Sequence, residues 1–247
     1  MKKFLTIFAL LLFVIINSTY SFDFKKYEIK SGKVEYKVSG MGEGTQTLYF
    51  DDWGTISAEF VSTITKMFGM KVESKTLNIL DKYWSYSIDL KEKNGTKIAK
   101  KDIEDLYKSL KEEDMEKLGR KIMEDLDAKQ LPNETILGKS CEVWEIPTLS
   151  SKVWTYKMVP LKTEMNIMGK QVIEAVSFEE NIAIPKDKLQ VPKGIKITEE
   201  QMTEEQKQQS QEMMKMMQGG EFDLQKMQQM IEESNEATEE EEGEGKK

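Results

Sequence analysis

Lys33-Val34-Glu35-Tyr36-Lys37-Val38 decides how this chain is read. Charged and apolar residues alternate without a break, the period-two pattern of a strand with one wet face and one buried face. Working outward, Ser39-Gly40-Met41-Gly42-Glu43-Gly44 supplies three glycines for a turn, and Thr45–Phe50 reads as the partner strand. Asp51-Asp52-Trp53-Gly54 is the next break, before Thr55–Thr65, which is rich in β-branched residues. Met70–Leu80 and Lys82–Leu90 continue the meander, and in the second Trp84, Tyr86, Ile88 and Leu90 share a face. Asn94-Gly95 reads as its closing turn.

The period changes over Lys101–Ala128. Ile103, Leu106, Tyr107 and Leu110 fall at helical spacing, as do Met115, Leu118, Ile122 and Leu126. The stripe slips between the two sets, and Ser109 with Glu112 fits a capping box, so the insertion 101–128 is expected as two short helices with a bend. With only one apolar face, it should lie across a sheet edge or barrel mouth. Sheet pattern resumes at Thr135. Ile136–Leu137, Cys141–Ile146, Val153–Val159, Leu161–Met168 and Gln171–Phe178 are expected strands, and Asn181–Ile197, with Pro185 and Pro192, an extended edge segment. The fold class expected is mainly β (α+β), an open antiparallel half-barrel with the helical insertion as a lid. A flat sheet of about eight or more strands would leave an apolar face uncovered.

Both ends differ from this body. Lys2 and Lys3 precede Phe4–Ile16, a run of 13 residues that is apolar apart from Thr6. This suits the core of a signal peptide over 1–21, cleaved after Ser21, and falls short of the roughly 20 residues a membrane span needs. No other stretch approaches that length, so no stable span is expected after cleavage. From Glu199 to Lys247 there are 15 acidic and 5 basic residues, nine Gln and seven Met. Residues 22–198 carry 29 acids and 29 bases, so the formal net charge of −8 is the −10 of the tail 199–247 offset by the +2 of Lys2 and Lys3. Thr203-Glu204-Glu205-Gln206 could start a helix, and Phe222, Leu224, Met227, Met230 and Ile231 recur at near-helical spacing. The tail is expected to be partly helical or disordered. It could hold a protein partner, fold back on the body, or bind Cu(I) through clustered thioethers.

The order of signal, meander, helical insertion and second meander resembles the outer-membrane lipoprotein carrier (LolA/LolB-like) superfamily. The local likenesses are Gly32-Lys33-Val34-Glu35-Tyr36, Leu48-Tyr49-Phe50-Asp51 and Ile136-Leu137-Gly138-Lys139-Ser140-Cys141-Glu142-Val143-Trp144. The last looks like a pattern in uncharacterised secreted relatives of that fold. The resemblance implies an incomplete barrel closed by a helical lid over an apolar cavity. Carriers of that family use a basic residue near the cavity mouth. This chain departs from the pattern, its only Arg being Arg120 on the expected helix.

The composition excludes more chemistry than it offers. There is no His and one Cys, so His-based catalysis, His-containing zinc sites, CxxC motifs and internal disulfides are all absent. The acidic balance argues against a nucleic-acid partner. No enzyme activity, metal or cofactor is expected, and Cys141 reads as a buried thiol. The expected function is an exported periplasmic protein that binds a lipid, a lipoprotein acyl chain or another hydrophobic small molecule. Its candidate ligand-binding residues are Trp84, Tyr86, Trp144, Trp154 and Tyr156 on strands, with Leu106 and Leu110 on the lid. Those aromatics serve equally as ordinary core. The alternative function is a non-catalytic envelope interaction module that uses the Met-rich tail.

Overall fold

The computed structural model describes residues 25–67, 70–100, 126–166 and 169–201. The expected signal, most of the helical lid (Leu106 and Leu110 included) and most of the tail lie outside the described residues. The lid's last three expected residues, 126–128, are not helix, and 126–127 form a turn. What is described is mostly β. Strands β1 (Gly32–Gly40), β2 (Gly42–Asp51), β3 (Ile56–Met67), β4 (Met70–Leu80), β5 (Trp84–Asp89) and β6 (Asn94–Ala99) form one antiparallel meander. Strands β7 (Lys129–Ile136), β8 (Lys139–Ile146), β9 (Ser151–Tyr156), β10 (Val159–Asn166) and β11 (Lys170–Glu180) form another, and β12 (Lys196–Glu200) follows. All belong to one open 12-stranded sheet in the order β12-β6-β5-β4-β3-β2-β1-β11-β10-β9-β8-β7. The Lys33–Val38 stretch lies at its middle, where β1 joins the two meanders by pairing with both β2 and β11.

Several expectations need correction. The strand expected over Val153–Val159 is cut by the turn at Lys157–Met158, and that expected at Ile136–Leu137 runs instead from Lys129 to Ile136. Asn94-Gly95 is not a turn but the start of β6, with Asn94 opposite Asp89 and Gly95 opposite Ile88. The turn falls just before, where Lys93 takes a positive φ of 54°. Glycine is needed at 95 for a different reason: a Cβ there would stand 2.5 Å from the Ser87 carbonyl oxygen. Nor is the sheet wholly antiparallel, because β12 pairs parallel to β6. To reach that edge from β11 the chain crosses six strands, roughly 34 Å at the usual spacing. The fifteen residues Asn181–Ile195 cover that by running over the sheet, largely extended but for a short 3-10 turn at Lys186–Leu189. Asn181–Ile197 is thus a strap across one face as well as an edge.

The apolar residues form two cores on opposite faces. Val34, Tyr36, Leu48, Phe50, Cys141, Val143, Trp154 and Leu161 belong to the first. Ala58, Leu77, Ile79 and Ile88 make the second, closed over by Leu189, Val191, Ile195 and Ile197 of the strap. Register places the change of face between β2 and β3. Leu48 of the first core stands opposite Glu59, whereas Ala58 of the second stands opposite Tyr49.

The sheet curls toward the face of the first core. Lys139 of β8 shares a face with Cys141 and Val143, and Glu180 of β11 shares one with Phe178. In a flat sheet β8 and β11 lie about 14 Å apart, beyond the combined reach of the two side chains. Lys139 Nζ nevertheless donates to Glu180 Oε1, and Lys157 Nζ lies 3.7 Å from Glu180 Oε2. That face is therefore concave.

Candidate functional site

The concave face has an apolar half and a polar half. On β1, β2 and β8–β11 it is the first core. Tyr36 lies across β11, where its register partner is the small Ala175, and its hydroxyl donates to the Pro160 carbonyl of β10 at 2.8 Å. The β-bulge between Pro160 and Lys162 disrupts the ladder at that point.

Moving from β2 to β6 along one register row, the same face reads Leu48, Glu59, Asn78, Ser87, Thr96. Glu59 is buried, 8% exposed, and accepts from Gln46 Nε2 at 2.6 Å and from the Asn78 side chain. Burial pushes its carboxyl up to about 7, against the pull of Lys26 and the Asn78 hydrogen bond. Burial likewise pushes Lys26 down to about 8, opposed by Glu59. Lys26 belongs to the segment that enters β1 along the rim of the sheet. Tyr27 N–H donates to the Trp53 carbonyl at 2.9 Å and Glu28 N–H to that of Lys157 at 3.2 Å. Tyr27 is 2% exposed and meets Phe50 edge-on with centroids 4.7 Å apart. Its hydroxyl has no hydrogen-bond partner among the described residues. Burial first, and the Glu59 charge second, raise the Tyr27 phenol above its ordinary value.

The candidate aromatics divide between the two faces. Trp154 and Tyr156 lie with the first core. Trp154 Nε1 donates to Glu134 Oε2 at 2.9 Å, and Tyr156 meets Phe178 edge-on at 6.4 Å. Trp84 and Tyr86 alternate with the concave Ser85 and Ser87 and so face the convex side. There Tyr86 packs on the second core, and Lys97 Nζ sits 3.6 Å from the Trp84 ring centroid. Trp144 pairs with Val153 in register and points away from its neighbour Val143. The structure thus brings Trp154 and Tyr156 together and parts them from Trp84 and Tyr86. Cys141 is fully buried, and that burial raises its thiol. Sequence reasoning missed Glu59, Asn78, Gln46 and Tyr27. The available signal was Glu59 itself, a lone charge between Ala58 and Phe60 in a β-prone run.

Among the described residues no three Cys, Asp or Glu side chains converge as a metal site requires, and no helix is long and apolar enough to cross a membrane. No protein-family model matches the chain, and no curated protein does. Several solved structures are similar in part. An uncharacterised conserved protein from Thermus thermophilus overlaps 72% of this chain and 95% of its own, at 8% identity and a TM-score of 0.45. PNGF-II overlaps 70% of this chain but only 32% of its own length, at 14% identity and a TM-score of 0.34. LprF from Mycobacterium bovis overlaps 69% of this chain and 94% of its own, at 9% identity and a TM-score of 0.30. At these scores and identities the overlaps assign neither a family nor an activity.

Proposed function

We propose that this chain is an exported, non-enzymatic binding protein of the bacterial periplasm, whose concave sheet face holds a hydrophobic or amphiphilic small molecule. One observation carries the reading. The inner face of the open, curled sheet has an apolar half, packed around Phe50, Val143 and Trp154, that runs in register into a polar half beginning at Glu59. Sites for small apolar ligands combine such a lining with a few placed polar groups. The absence of His and the pairing of Glu59 with amides rather than a second carboxylate support binding over hydrolytic chemistry. Lys2, Lys3 and the apolar run Phe4–Ile16 support export. Solvent extraction and mass spectrometry of protein purified from an osmotic-shock fraction test both halves of the proposal. A lipid or other amphiphile at near-stoichiometric yield is expected. Protein that stays with the cytosol, or that comes out with no bound molecule and takes up none offered, overturns it.

A further inference from the structure

The polar half of the concave face is costly to the fold and returns little stability. Glu59 occupies a position that continues the apolar row from Leu48, and a buried carboxyl there is dearer than a leucine would be. The Tyr27 hydroxyl is buried with no partner among the described residues, which is rare in native proteins and calls for an explanation. Nor can that hydroxyl swing elsewhere. Its ring is held edge-on to Phe50 and lies against Gly54, where a Cβ would come within 2.7 Å of a ring carbon. Burial chiefly raises both the Tyr27 and Tyr36 phenols, and the Glu59 charge adds a smaller push to each, so both lie within the field of its carboxyl. Tyr36 donates to Pro160, which leaves Tyr27 as the open donor.

The groups gathered here are mixed in kind. Glu59 accepts, while Asn78 and Gln46 each donate to it and keep an amide oxygen that accepts. Half-buried Ser87 and Thr96 extend the row with hydroxyls that do both. Glu59 and Lys26 carry opposite charges that attract each other, so an anionic head would meet the carboxyl and a cationic one the ammonium. Alcohol groups, which donate and accept at once, match the set. We propose that the Tyr27 hydroxyl and the row Glu59–Asn78–Ser87–Thr96 form a head-group subsite for an uncharged, hydroxyl-rich amphiphile, glycosyl or glycerol-like, whose chain lies on the apolar half of the same face. This deepens the ligand-binding function and rests on it.

Three ligands with one eight-carbon chain separate the two ideas: octyl β-D-glucoside, octanoate and octyltrimethylammonium. Each is titrated below its micelle concentration into the full chain by calorimetry. The glucoside is expected to bind at least about tenfold tighter than either ion. Tyr27→Phe should weaken the glucoside by about three- to tenfold and leave octanoate unchanged. Its thermal midpoint should not fall, since the group removed has no partner in the described fold. Glu59→Gln, which keeps the shape, should weaken the glucoside as well. Equal binding of the three ligands, or wild-type glucoside affinity in both variants, overturns the head-group subsite and leaves the binding function standing. A folded protein that binds none of the three overturns both.

Discussion

Burial lifts the Glu59 carboxyl to about 7 from an ordinary 4.5, and that shift is a statement about stability. Between those values the folded chain holds a proton that the unfolded chain has lost. The Glu59 contribution is therefore fully present below pH 4.5 and disappears as pH rises through 7. Lys26, lowered from 10.5 to about 8, runs the other way: its contribution is present above pH 10.5 and lost as pH falls through 8. The fold is thus least favoured by this pair between about pH 7 and 8. Glu59→Gln should raise stability near pH 8 by about 1–3 kcal/mol and change it little at pH 5, measured as urea midpoints. Equal effects at both pH values would show that the carboxyl titrates normally. Tyr36→Phe should cost about 1–2 kcal/mol, because it strips the Pro160 carbonyl of its partner. The buried side of Tyr36 was legible in the Lys33–Val38 alternation. Its partner was not, since the bulge at Pro160–Lys162 leaves no mark in sequence pattern.

Elements were legible where the alternation was clean and opaque where one residue type serves two geometries. Met70–Leu80 is β4 as the sequence reads it. Asn94-Gly95 carried a turn signal, yet it is strand, because glycine also answers a close approach of neighbouring backbone. Gly95→Ala should therefore destabilise by about 1–3 kcal/mol despite the general preference for alanine over glycine in regular structure. A substitution that leaves the thermal midpoint unmoved would mean β5 and β6 stand further apart than described. The strap Asn181–Ile195 was read as extended, but its role was hidden: proline-broken apolar residues look the same on an edge and across a face. Leu77 is fully buried beneath it, so Leu77→Ala should cost about 2–5 kcal/mol. Half-buried Leu189 should cost less. If strap and sheet form one core, the double variant should cost less than the sum, as contacting residues couple.

At the scale of the molecule, β composition and openness follow from the pattern of short apolar alternations, but the two-faced core does not. Each strand announces which of its residues are buried, while only register tells that Leu48 and Ala58 face opposite ways. An open sheet also keeps two free edges, and an unpaired edge recruits other strands unless it is blunted. Here β12 presents Lys196, Glu199 and Glu200, all exposed. β7 carries exposed Lys129 and Pro132, with its register to β8 broken between Leu131 and Glu134. Proline lacks the N–H a new neighbour would need, and the bulge turns the strand out of plane. Pro132→Val combined with Lys129→Thr should restore a flat, β-prone edge. The double variant should then sediment faster than wild type as concentration rises through tens of micromolar, with its circular dichroism at low concentration unchanged. Identical sedimentation of the two proteins would show that Pro132 and Lys129 do not guard that edge, and that something else covers β7 in solution.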